Sequence, residues 1–396
     1  MNSMMFWVAL ICNATMILAL SIMPYLTRRT ELFGVSLPSA EIDRPELSKF
    51  RRAYIRATLL AGAALIVLTI VLFYVTQNEM TQIRWFLIIL FVYIAANFPI
   101  YLYFHRKMKV FKSAQPWRAF GAEANAGPDN VPVGISPDSE YTAKPVLIVD
   151  TEPPKREVLH PMWLLLFAAV GVGTLLYLWY IWPSLPDRIP VHMDAAGNID
   201  SWVDKGVSGL VSMLFSQWIL IGIFIFVYIM VPFTKRQIDA AKPLESREQG
   251  RRFRYIISSC MVFCGAALAA VTGFMPLAMA QGKSETIIII IPLILIFAIL
   301  AVMLLVLFRT GQGGSRLKVD AKQQDLNLKG KRLENTDDDR YWKLGQFYFN
   351  PDDPTIFVEK RFGIGWTVNF GHPVSWIFLI GIIVVVVISM VLAFNA

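Results

Sequence analysis

Eight stretches of the chain are apolar on every face and long enough to cross a bilayer, which takes roughly 20 residues as a helix. They fall at about Met4–Met23, Arg56–Thr76, Trp85–Phe104, Met162–Ile181, Val207–Val231, Tyr255–Ala280, Thr286–Phe308 and Val374–Phe394. Strands of a membrane barrel alternate apolar and polar residues over about 10 positions. These runs do not alternate, so the pattern predicts an all-α integral membrane protein with eight transmembrane helices. The sixth is long enough to tilt. The first has no basic leader and is followed by Arg28 and Arg29, which reads as a retained span and not a signal peptide. The polar segments divide the chain into three N-terminal spans (1–104), a polar linker (105–159), and a span pair with a motif loop at 182–206 (160–232). A basic loop with two spans (233–308), a polar and aromatic segment (309–373) and a last span (374–396) follow.

Charge sorts the loops. Segments Thr27–Arg56, His105–Leu159, Lys235–Arg254 and Arg309–Pro373 carry seven, eight, seven and eleven Lys/Arg, whereas the remaining loops hold Arg84, Arg188, Lys205 and Lys283. The alternation never breaks, and the positive-inside rule then places the basic loops in the cytoplasm and both termini outside. A bacterial plasma membrane is the expected location. The net charge of +8 is thus a signature of orientation and implies no nucleic-acid partner. Composition agrees: 56% of residues are apolar, 17% charged and mean hydropathy is +0.52. Soluble chains have about 45–50% and about 25%.

The two halves share a layout. Spans one and five exit through Pro24 and Thr27-Arg28-Arg29, and through Pro232 and Thr234-Lys235-Arg236. Spans four and eight open with His160-Pro161 and His372-Pro373. This predicts two parallel four-helix repeats; the alternative is coincidence, since such residues are common at span ends. The paired His-Pro dipeptides favour a capping role over a catalytic one. Span interiors contain no ionisable side chain, which argues against a proton-coupled pump. Asn97 with Pro99, and Pro292, are candidate helix breaks, although membrane helices tolerate Pro. Cys12, Cys260 and Cys264 lie within spans and read as packing residues, without disulfide or zinc spacing.

The outer loop Trp182–Gly206 is the most informative segment. Pro183, Pro186 and Pro190 favour extended backbone, and Gly197-Asn198 reads as a turn, so the loop is expected to be ordered. Asp187, Asp194, Asp200 and Asp204 outweigh Arg188 and Lys205. With Glu79, Glu285, Arg84 and Lys283 the outer face has six acids and four bases, a field that attracts cations, including cationic peptides. His192, Asp194 and Asp200, with Asp204, are a candidate metal set; a single His makes the signal weak. No nucleophile–base pair, phosphate-binding glycine loop or zinc-protease motif is found, and no catalytic residue or cofactor is assigned.

The pattern Leu185-Pro186-x-x-Ile189-Pro190-x-His192, then Gly197, Asp200, Trp202 and Lys205, resembles the bacterial membrane family called domain of unknown function 1648. That family includes the immunity protein against the sporulation-delaying peptide toxin of bacilli. The resemblance points to Pro186, Asp187, Pro190, His192, Asp194, Gly197, Asp200, Trp202 and Lys205 as candidate ligand-binding residues. In the family an aromatic residue and Asn usually follow the His; here Met193 and Asp194 stand there.

In the inner segment, aromatic runs at Tyr341–Phe349 and Thr355–Arg361 flank a turn-rich Asn350-Pro351-Asp352-Asp353-Pro354, which predicts a small cytoplasmic β-hairpin across that turn. The segment resembles a small domain of unknown function often attached to the same family, through Phe347, Tyr348, Asn350, Asp353, Pro354, Lys360, Arg361, Gly363, Gly365, Thr367, Asn369 and Phe370. Two roles are weighed: a plug on the cytoplasmic face of the bundle, which is favoured, and a binder of anionic lipid or a partner through Lys360 and Arg361. The Pro-containing stretch Pro116–Pro154 reads as a mobile linker, with Val146–Val149 an open candidate for a strand.

The expected function is a non-enzymatic immunity, peptide-resistance or envelope-protection factor. Its partners would be the lipid bilayer and either an extracellular cationic peptide or another membrane protein. The alternatives are a small-solute transporter or channel, suggested by the repeat, and a metal-dependent enzyme of the outer face built on His192 and the Asp cluster.

Overall fold

Seven helices carry most of the apolar stretches. A computed structural model describes residues 3–38, 41–76, 78–115, 156–193, 199–235, 242–284, 286–319, 338–381 and 384. The helices are α1 (Ser3–Leu26), α2 (Pro45–Val75), α3 (Glu79–Ser113), α4 (Leu165–Ile181), α5 (Val207–Met230), α6 (Pro243–Ala280) and α7 (Ile291–Thr310). Each is long and apolar enough to cross a membrane, in α4 together with its flanking 3-10 turns. Residues 373–381 are helical as well; most of the expected eighth span lies outside the described residues. So do the linker 116–155 and its candidate strand at Val146–Val149.

The helices form two sets. In the first, α2 packs on α1 and α3 around Ile17, Leu65, Ile89 and Tyr93. In the second, α4, α5 and α7 pack on α6, with Phe167, Ile221, Val262 and Ala266 at the core. Lipid is as apolar as leucine, so close contact and polar bonds hold such helices together. Gln217 on α5 is fully buried and donates to Thr174 Oγ1 of α4 at 2.8 Å and the Ala269 carbonyl of α6 at 3.1 Å. Gly273 makes room for it: a Cβ there would meet the Gln217 side chain. Asn13 of α1 reaches Thr69 of α2 in the same way, at 3.1 Å. Such bonds contribute about 0.6–2 kcal/mol each.

Several expectations about boundaries change. Apolar length measures the lipid crossing, while the helix continues wherever its backbone bonds do. Hence α2 starts at Pro45 instead of Arg56, α6 at Pro243 instead of Tyr255, and α3 runs to Ser113 instead of Phe104. Pro99 lies inside an unbroken α3, with the Asn97 amide donating back to the Tyr93 carbonyl at 2.9 Å. Ahead of Pro292 the chain does change form: Thr286–Ile290 is a π-turn and Pro292 sits in the first turn of α7.

Both His-Pro dipeptides cap helices. His160 Nδ1 accepts from Met162 N and His372 Nδ1 from Val374 N, each at 3.2 Å. The ring takes the place of the usual Ser or Asp oxygen on an otherwise orphaned N–H, and Pro follows at a position where no N–H is needed.

Among the described residues, four antiparallel hairpins accompany the helices. They are β1 (Glu31–Leu32) with β2 (Val35–Ser36), β3 (Arg188–Met193) with β4 (Ile199–Asp204), β5 (Trp342–Lys343) with β6 (Phe347–Tyr348), and β7 (Phe357–Glu359) with β8 (Trp366–Val368). The β3–β4 hairpin stands at one end of the second helix set. The other three gather at the opposite end, where α1, α5 and α7 finish and α2 and α6 begin.

The hairpin expected across Asn350–Pro354 does not form. Each aromatic run makes its own hairpin, because residues with positive φ turn the chain earlier: Leu344 and Gly345 after β5, Gly363 and Gly365 before β8. The Asn350–Pro354 turn instead joins the two hairpins, and Tyr348 bridges Asn369 in parallel.

Candidate functional site

Ile189 and Leu185 hold the β3–β4 hairpin on the bundle. Both are buried against Leu178 and Ile181 of α4, Met213 and Leu214 of α5, and Leu277 and Ala280 of α6. The ladder pairs Arg188 with Asp204, Ile189 with Val203 and Pro190 with Trp202, then shifts register so that His192 faces Ser201. The shift is a bulge on β3 and re-aims the residues beyond it. The hairpin base is closed by Lys205, whose N–H donates to the Asp187 carbonyl and whose ammonium donates to the Leu185 carbonyl, both at 2.7 Å. The same ammonium lies 5.9 Å from the centre of the Trp182 ring. Lys205, expected among the ligand-binding residues, is therefore a fastener of the hairpin.

On β4 the period-2 rule separates two faces. Ile199, Ser201 and Val203 are half-buried, while Asp200, Trp202 and Asp204 are exposed, Trp202 at 44%. Pro186, Asp187 and Arg188 are exposed nearby, and Pro190 is buried. Of the sequence-derived candidates, Asp200, Trp202 and Asp204 thus share one open face. Asp194 and Gly197 lie outside the described residues, and His192 is placed by its backbone alone. Among the described residues, no three His, Cys, Asp or Glu side chains come together as a metal-holding group.

The residues singled out at the opposite end assemble a docked unit. Asn369 is fully buried and uses both ends of its amide: Oδ1 accepts from Asn350 N and Gly371 N at 3.0 Å, and Nδ2 donates to the carbonyls of Asn350 and Asp353 at 2.8 and 3.0 Å. Asn350 Oδ1 accepts from Asp352 N at 3.1 Å, and Asp353 Oδ1 from Thr355 N at 2.9 Å, leaving Pro354, which has no N–H, between them. Asp353 Oδ2 also accepts from Lys235 Nζ at 2.7 Å and from the Tyr348 hydroxyl at 2.8 Å. Burial alone would raise the Asp353 carboxyl. The bonds from Lys235, Thr355 and Tyr348 outweigh it and hold the group at about 2.

The tip of the β7–β8 hairpin reaches into the helix ends. Phe362 lies 4.6 Å from the Tyr101 ring and 5.8 Å from those of Phe33 and Tyr54, all buried. Gly363 N donates to Thr27 Oγ1 after α1, and Gln312 after α7 makes two bonds to Gly365, each 3.0 Å. Lys235 N, just beyond α5, donates to the Phe357 carbonyl at 3.0 Å.

Arg361 does not face outward as a lipid or partner ligand would. It is buried, paired with Asp339, 3.8 Å from Glu31 and stacked 5.1 Å from the Trp342 ring. Arg28 pairs with Glu359 at 3.1 Å and Lys112 with Asp339 at 2.7 Å, which makes an ionic cluster of three bases and three acids, buried except for the half-buried Lys112 and Asp339. Burial pushes the Glu31 carboxyl up to about 7, against the pull of Arg361 and Arg28. Lys360 alone of the expected pair is exposed. Sequence reasoning missed this cluster because its members come from four separate segments. The one local signal is an acid, Glu31, beside the Phe33-Gly34 turn.

The family model described as "Domain of unknown function (DUF1648)" matches residues 169–215, which span α4, the β3–β4 hairpin and the start of α5. The model described as "Family of unknown function (DUF5808)" matches residues 351–376, the core of the docked unit. No curated protein and no solved structure matches the chain. The chain is therefore a multi-pass membrane protein that carries a DUF1648 domain around its β3–β4 hairpin and a DUF5808 domain at its C-terminal end.

Proposed function

We propose that the protein is a non-enzymatic envelope-protection factor of the immunity or peptide-resistance type, seated in a bacterial plasma membrane, whose β3–β4 hairpin engages a cationic peptide outside the cell. The observation that carries this reading is the single exposed face of Asp200, Trp202 and Asp204 on a hairpin fastened to the bundle. Carboxylates draw in a cationic partner, and an exposed indole supplies apolar contact area at little entropic cost. The described basic residues that flank the basic loops, among them Arg28, Lys112, Lys235, Arg251 and Arg316, lie toward the other end of the helices, which supports an outward hairpin under the positive-inside rule. The identical caps at His160 and His372 support an eighth span and the parallel repeat, with both termini outside.

The test is deletion of the gene in its host, followed by challenge with a panel of cationic envelope-active peptides. Raised sensitivity to at least one, reversed by the wild-type gene, is the expected outcome. Unchanged sensitivity across the panel would overturn the reading.

A further inference from the structure

Three arginines from distant parts of the chain converge where α1, α2 and α7 meet the polar layer. Arg29 follows α1, Arg51 lies two turns into α2, and Arg316 follows α7. Hydrogen bonds tie the segments together. Arg316 donates to the Tyr25 carbonyl and, at 2.8 Å, to that of Phe308, and Arg29 N donates to Ser315 Oγ at 3.3 Å. The Arg316 guanidinium lies 4.9 Å from the centre of the Phe308 ring. Arg51 stands within electrostatic range of Arg29, and Arg316 within range of both. Among the described residues none of the three is ion-paired with a carboxylate; Asp43 acts on Arg51 only at a distance. Arg51 Nε is buried without a hydrogen-bond partner.

Like charges held together repel, and burial deepens the cost. Burial and then the other two arginines push the Arg316 guanidinium below its ordinary pKa. An anion between the three would reverse both effects, and guanidinium groups match the oxygens of a phosphate in pairs. Tyr25 and Phe308, at the ends of apolar helices, place the cluster at head-group depth.

We propose that Arg29, Arg51 and Arg316 form a binding site for a phosphate-bearing anion, supplied by the head group of an anionic phospholipid at the boundary of α1, α2 and α7. The site differs from the Lys360–Arg361 pair, whose arginine is spent inside the ionic cluster.

The full chain in neutral detergent, titrated with phosphatidylglycerol, phosphatidylcholine or inorganic phosphate, tests this by native mass spectrometry and thermal unfolding. Two variants accompany it: Arg29→Gln with Arg51→Gln, and a control of equal charge loss on exposed positions of α3, Arg106→Gln with Lys109→Gln. Retention of phosphatidylglycerol by the wild type and the control, with loss of about tenfold or more in affinity in the first variant, is the expected result. Inorganic phosphate bound with the same variant dependence, and phosphatidylglycerol not, would keep the anion site but overturn its lipid source. Equal binding of phosphatidylcholine, equal loss in both variants, or no anion bound would overturn the proposal.

Discussion

Glu31 couples the loop after α1 to the docked unit, and its protonation state sets a pH dependence. A free glutamate titrates near about 4.3; buried beside Arg361, Arg28, Glu359 and Asp339, Glu31 titrates at about 7. Between those values the folded chain holds a proton that the unfolded chain has lost. The contribution of Glu31 is therefore full below the unfolded pKa and disappears as pH rises to about 7. The variant Glu31→Gln should remove this slope and unfold later than the wild type at pH 8, by on the order of 1–3 kcal/mol. Thermal unfolding in detergent at pH 5 and pH 8 measures it; a variant less stable at pH 8 would contradict the assignment. The sequence could flag Asn350, Asp353 and Asn369 by pattern, yet it could not say that all three are spent on holding one turn. Nor could it bring Arg361 to Asp339 and Glu31, because no local periodicity links residues so far apart in the chain.

At the scale of elements, the spans are legible in the sequence and their ends are not, for a physical reason. Lipid demands a continuous apolar run, so the spans stand out, whereas the ends of α2, α3 and α6 are set by water-exposed turns that carry no apolar signal. The prolines of the outer loop imply order but do not disclose its strand pairing. In β3 the alternation is interrupted by Pro190, buried beside Ile189, and by the bulge at His192, whereas β4 keeps a clean period-2 pattern. Ile189 is the anchor of that hairpin and is fully buried. Truncation in Ile189→Ala should cost about 2–4 kcal/mol locally, loosen β3–β4 from α5 and α6, and leave the helices intact. Limited proteolysis of the purified protein reads this as faster cleavage within residues 185–205. Equal cleavage rates for variant and wild type would remove Ile189 from that role.

At the scale of the whole molecule, the two ends are built differently. One end gathers three hairpins, an ionic cluster and Phe362 into a unit that bonds to the segments following α1, α5 and α7. The other end carries one hairpin with an open acidic and aromatic face. The charge alternation of the loops separates these ends in the sequence already; which face is open, and that Lys205 closes the hairpin, needed the structure. The measurement that bears most directly on the proposed role is complementation of the deletion host by Asp200→Asn, Trp202→Ala and Asp204→Asn combined. These side chains are exposed, so the variant should reach the membrane at the wild-type level. The account predicts that it fails to restore resistance to the cationic peptide against which the wild-type gene protects. Full protection by the variant at equal membrane level would contradict it.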